Sequence, residues 1–138
     1  MNKRLLLPLV VVLSLSTGAW ASVFADVTVC PPCPDCWDNV LVNVKACVPK
    51  EGYVKCTEWC IKGNFIMVDV YLQCPPSACG GSTKVNQTVC VGDLCPGTYA
   101  VIATVRCYEG CKPYAMTYAV GSTFFKVSCP TPCWPCWP

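Results

Sequence analysis

The stretch Thr98–Cys107 constrains this chain more than any other. Tyr99, Val101, Ala103, Val105 and Cys107 fall on one side of an extended backbone, and polar residues interrupt the other side. A period of two sustained over such a length is a β-strand with one buried face. Phe65–Cys74 repeats the pattern, with Ile66, Val68, Val70, Leu72 and Cys74 in phase. Val40–Val48 repeats it through Val40, Val42, Val44 and Ala46, and Lys84–Val91 through Val85, Val89 and Val91. Tyr53–Ile61, Tyr114–Val120 and Ser122–Ser128 are weaker candidates. Gly- and Pro-bearing turns separate them, and no stretch has helical spacing. The pattern predicts an all-β, antiparallel sandwich of about seven strands.

The first residues read as a leader. Lys3 and Arg4 precede an apolar run from Leu5 to Leu15, and Ala19-Trp20-Ala21 and Val23-Phe24-Ala25 both offer small-x-small cleavage sites. The run is too short to span a bilayer. Cleavage after Ala25 is the preferred reading, because Asp26–Val29 then forms a strand-like N-terminus. The expected organisation is a signal peptide over 1–25, a Cys/Pro tail over 26–37, a sandwich over 38–128 and a second Cys/Pro/Trp tail over 129–138. Ten Lys and Arg less the two in the leader leave eight, against eight Asp and Glu. A neutral, charge-poor chain favours self-association and has no basic patch to hold nucleic acid.

Val91-Gly92-Asp93-Leu94-Cys95-Pro96-Gly97-Thr98-Tyr99-Ala100-Val101 resembles the corner before the long strand of bacterial secreted immunoglobulin-like or fibronectin-like domains, where Gly-x-Leu-x-Pro-Gly-Thr-Tyr-x-Val is typical. Ser122-Thr123-Phe124-Phe125-Lys126-Val127 is similar to their last strand. The resemblance spans roughly Val40 to Ser128. It implies an immunoglobulin-like sandwich and is nearly silent on activity, because that scaffold serves many functions.

The chain has fifteen cysteines and no histidine. Such a density in a short exported chain implies a disulfide scaffold, and an odd count leaves at least one thiol over. Four close spacings suggest local staples within the domain: Cys56 with Cys60, Cys74 with Cys79, Cys90 with Cys95, and Cys107 with Cys111. Cys74 and Cys107 are also in phase with core residues, so a buried bridge between the sheets is the rival pairing. Cys47 is left over.

The other six cysteines lie in the two tails, Cys30-Pro-Pro-Cys33-Pro-Asp-Cys36-Trp37 and Cys129-Pro-Thr-Pro-Cys133-Trp-Pro-Cys136-Trp137-Pro138. In the immunoglobulin-like sandwich that the resemblance implies, the first strand runs parallel to the last, so the chain enters and leaves at opposite poles. Cys30, Cys33 and Cys36 are then expected to bond Cys129, Cys133 and Cys136 of the next copy. Trp37, Trp134 and Trp137 would supply contact area at that junction. Such a heterologous contact propagates into a filament. Two alternatives stand beside it: a monomeric adhesion or ligand-binding module with each tail folded back as a cap, and a thiolate site for copper, zinc or an iron–sulfur cluster on Cys30, Cys33, Cys36, Cys133 and Cys136. No resident cofactor is expected on the first reading. The lack of histidine and of any nucleophile–base constellation argues against an enzyme. The chain is read as an exported, self-associating structural subunit at the cell surface or outside the cell, or alternatively in the periplasm, with no transmembrane segment after leader removal.

Overall fold

The computed structural model describes residues 23–75 and 81–129. Eight strands occur there: β1 (Val23–Phe24), β2 (Asp26–Cys30), β3 (Val40–Val48), β4 (Tyr53–Lys62), β5 (Phe65–Cys74), β6 (Thr83–Gly92), β7 (Gly97–Glu109) and β8 (Ala115–Val127). They form two sheets, ordered β1-β8-β7-β5-β4 and β2-β3-β6. The all-β sandwich is therefore present, and the chain is cysteine-rich with disulfides inside it. The inward residues of β3, β5 and β7 make the core, in the phases that alternation predicts. Val40, Val42, Val44, Val48, Val68 and Val70 are buried there. Valine's branched side chain is stiff and fits a pleated surface, so this core is specified at low entropic cost.

Pairing is mostly antiparallel, with one central exception: β5 runs parallel to β7, with Ile66 opposite Val101 and Val70 opposite Val105. In an immunoglobulin domain the strand following B lies beside F. Here β5 takes that place and β4 is the edge strand among the described residues. The corner before β7 is tied by a side-chain hydrogen bond. The Tyr99 hydroxyl donates to the Cys95 carbonyl at 2.8 Å, closing a tyrosine corner.

Two elements differ from the sequence expectation. β8 is one strand through Gly121 rather than two. Gly121 reads as a break in the sequence, but it serves close approach: a methyl group there would overlap the Ala25 carbonyl oxygen. The second difference is what approaches it. Val23 and Phe24 pair in parallel with Ala119 and Val120, Ala25 is buried, and the Ala25 amide donates to the Val120 carbonyl at 3.2 Å. The first strand thus switches sheets at Ala25, and the fold uses residues that cleavage after Ala25 would remove. A chain beginning at Ser22 is expected to be about 2 kcal/mol more stable than one beginning at Asp26, from two or three backbone hydrogen bonds and one buried alanine. Paired urea titrations check this, and equal midpoints would show that β1 contributes nothing.

The pole where β7 ends carries a charged cluster. Lys50 pairs with Glu109, the Tyr118 hydroxyl donates to the Glu109 carboxylate at 2.8 Å, and Lys112 lies 3.6 Å away. Hydrogen bonds from Lys50 and then Tyr118 hold the Glu109 carboxyl at about 2, against an ordinary 4.5. A carboxyl lowered on folding stabilises fully above its ordinary value, and that contribution disappears as pH falls through about 2. Glu109→Gln is therefore expected to flatten the acid limb: its urea midpoint should change less than wild type between pH 4.5 and 2. Parallel slopes for the two proteins would refute the assignment.

Candidate assembly site

Of the N-terminal tail expected over 26–37, Asp26–Cys30 is β2 and the rest lies in the connection between β2 and β3. It sits at the pole where β8 ends. Asp35 bridges Ser128 in parallel, the Cys36 amide donates to the Ser128 carbonyl at 3.1 Å, and the Ser128 amide donates to the Pro34 carbonyl at 3.1 Å. Cys36 and Cys129 are disulfide-bonded to each other, with their Cα atoms 5.2 Å apart. The expectation that these two cysteines bond a neighbouring copy is corrected here. The first strand does run parallel to the last, but the Cys/Pro segment follows that strand instead of preceding it. The segment is therefore delivered to the pole where the last strand ends.

Sequence reasoning also missed the polar groups that shape this loop. The Asp35 carboxylate accepts from the Trp37 amide at 2.9 Å, and the Asp38 carboxylate accepts from the Asp35 amide at 2.9 Å. Pro34 is fully buried beneath them. The peptide bond between Cys30 and Pro31 is cis. Trp37 projects outward, 71% exposed. Cys133, Cys136, Trp134 and Trp137 lie outside the described residues, as does Cys79.

The local staples are corrected as well. Cys74 bonds Cys107, not Cys79, with a Cα separation of 6.3 Å. Cys107 is opposite Leu72 in the β5–β7 ladder, so Cys74 is its diagonal neighbour on the same inward face. The bridge is buried, as the rival pairing required, but it joins two strands of one sheet rather than two sheets. Cys111 is consequently unbonded, in the β7–β8 turn. Cys90 is unbonded too, so the Cys90–Cys95 bridge is absent, while Cys95 is disulfide-bonded. Cys56 and Cys60 do not bond each other. They stand four residues apart on one strand, about 13 Å at the rise of an extended chain, and a disulfide needs Cα atoms within about 7 Å.

Among the described residues the remaining thiols are Cys30, Cys33, Cys47, Cys56, Cys60, Cys90 and Cys111, all unbonded and exposed. Strand phase explains several of them. Cys47 is out of phase with Ala46 and Val48, and Cys90 with Val89 and Val91, so both face outward from the smaller sheet. Leu41 lies opposite Cys30 on one side and Cys90 on the other. That row holds two thiols about 9–10 Å apart, two strand spacings, which is beyond disulfide reach. Cys47 faces Lys84 across its ladder, with no thiol opposite it.

The metal reading loses its third ligand, because Cys36 is bonded to Cys129, leaving Cys30 and Cys33 of the first motif. Among the described residues no group of three or more His, Cys, Asp or Glu is placed to hold a metal ion. No family model matches the chain, and no curated protein or solved structure does either.

Proposed function

We propose that this chain is an exported structural subunit that cross-links copies of itself through thiols on its sheet faces. The observation that carries the reading is a set of exposed cysteines, unbonded among the described residues, in which Cys56 and Cys60 along β4 and Cys30 and Cys90 on either side of Leu41 stand too far apart to pair within one molecule. Among the described residues the buried Cys36, Cys74 and Cys107 are bonded within the chain, and the surface thiols are the groups that can react outward. The near-neutral, charge-poor composition adds little repulsion between copies. Intrachain disulfides suit an oxidising compartment, and with the leader they support export.

The chemistry is thiol–disulfide exchange. A surface thiolate attacks a disulfide-bearing oxidant to give a mixed disulfide. A thiolate of a second copy then displaces the oxidant's other sulfur, so two thiols are oxidised and the oxidant leaves as two thiols. The Cys36–Cys129 link makes the first Cys/Pro segment part of the domain, so the reading rests on the thiols of the sheet faces.

The test is electrophoresis of natively exported material with free thiols blocked at lysis. A ladder without reductant that collapses to one band with reductant supports the reading. A single monomer band in both lanes would sink it and favour the disulfide-hardened monomeric module.

A further inference from the structure

We infer that β4 is a self-complementary junction, pairing antiparallel with β4 of a second copy and closed by two Cys56–Cys60 disulfides across the pair. This rests on the reading of the chain as a cross-linked subunit. Among the described residues β4 is the free edge of the larger sheet, paired with β5 on one side only. Cys56 lies opposite Tyr71 and Cys60 opposite Met67, both outward-facing positions, so the two thiols share the outer face of the strand. Both are exposed and unbonded.

The partner is set by symmetry. Two thiols on one face of a free strand, equally spaced about Glu58, match themselves when a second strand is turned through a two-fold axis at Glu58. Cys56 then lies opposite the second copy's Cys60, and Cys60 opposite its Cys56. Residues directly opposite in an antiparallel pair have Cα atoms about 4.5 or 5.5 Å apart, and both spacings lie within disulfide range. The contact is isologous and closes on itself, as in most homodimers. Strand addition of this kind also satisfies the row of backbone donors and acceptors that a free edge exposes.

Charges on β4 weigh partly against this register, because Glu58 meets its own copy. A rival register centred on Cys60 would place Glu58 opposite Lys62 and Trp59 opposite Ile61. It pairs only Glu58–Lys62 before reaching the turn at Gly63, and it forms one disulfide. The register centred on Glu58 pairs Cys56–Cys60 before reaching the bulge at Lys55 and forms two. Each bond follows the exchange already written: one oxidant disulfide is consumed and two oxidant thiols are released per cross-link.

The registers are separated by complementation. In full-length protein with Cys30, Cys33, Cys47, Cys90 and Cys111 changed to serine, Cys56→Ser and Cys60→Ser are made separately and exposed to oxidised glutathione. Circular dichroism confirms folding. Each single variant alone should stay monomeric, and an equimolar mixture should give a covalent heterodimer whose tryptic map contains a Cys56–Cys60 link. Homodimers of Cys56→Ser as abundant as the mixed product would overturn the proposal in favour of the rival register, and absence of any mixed dimer would overturn it outright. If the mixture stays monomeric while wild type still forms a ladder, the junction is wrong but the cross-linked subunit stands. Loss of the wild-type ladder refutes the broader reading.

Discussion

Replacing Cys36 and Cys129 together with serine is expected to lower stability by about 4–5 kcal/mol, because their bond closes a very long loop in the unfolded chain. They are separated by 93 residues, so the crosslink removes more unfolded-state entropy than a short loop could. For a domain of this size the loss corresponds to roughly 20 °C in melting temperature. Strand content should change little. The Asp35–Ser128 bridge and the two hydrogen bonds between Pro34, Cys36 and Ser128 still dock the loop on the end of β8. The pair must be changed together, since one substitution alone leaves a new thiol. The measurement is urea unfolding of the double variant beside wild type, with circular dichroism on both. The same variant decides between two placements of this disulfide. A link within the chain predicts lost stability and an unchanged ladder, whereas a link between chains predicts a lost ladder and unchanged monomer stability.

The strands are legible in the sequence because alternation maps directly onto a pleated sheet. Val40–Val48, Phe65–Cys74 and Thr98–Cys107 bury the residues that their phase selects. β4 is harder to read. As an edge strand it has no continuous buried face, and Trp59 and Ile61 remain 43% and 37% exposed. The order of strands is not legible at all. Nothing in Tyr53–Cys74 tells which arm of the hairpin will meet β7, since both can present an apolar side to it. The cysteines divide along the same line. Those whose phase is outward, Cys47 and Cys90, are unbonded surface thiols, and phase alone identifies them. Close spacing misleads, because Cys56 and Cys60 are neighbours in sequence but distant along an extended strand. The Cys36–Cys129 bond depends on where the β2–β3 connection is delivered. That placement follows from Asp26–Cys30 forming a strand on β3, which delivers the segment after it to the pole where β8 ends.

Cys74→Ala with Cys107→Ala is expected to cost about 4 kcal/mol, and the corresponding double serine variant roughly a further 1–3 kcal/mol. The first figure is the unfolded-chain entropy released when a crosslink spanning 33 residues is removed. The second arises because both positions are buried, Cys107 at 0% and Cys74 at 1% exposure, where an unpartnered hydroxyl loses its water. Gly52 lies over this bridge so closely that a methyl group there would stand 2.7 Å from the Cys74 sulfur. A reductant therefore reaches the bond only when the pole opens. Cys56→Ser with Cys60→Ser provides the contrast: both sites are exposed, and the pair should change stability by no more than about 0.5 kcal/mol. Alkylation of native protein should label the surface thiols at once, and the Cys74 and Cys107 sulfurs only after unfolding and reduction. Equal stability losses for the buried and the exposed pair would collapse the distinction. An ordering of serine pair below alanine pair, with the exposed pair at wild-type level, would assign the buried cysteines to holding the fold and leave the exposed ones available for contact with another copy.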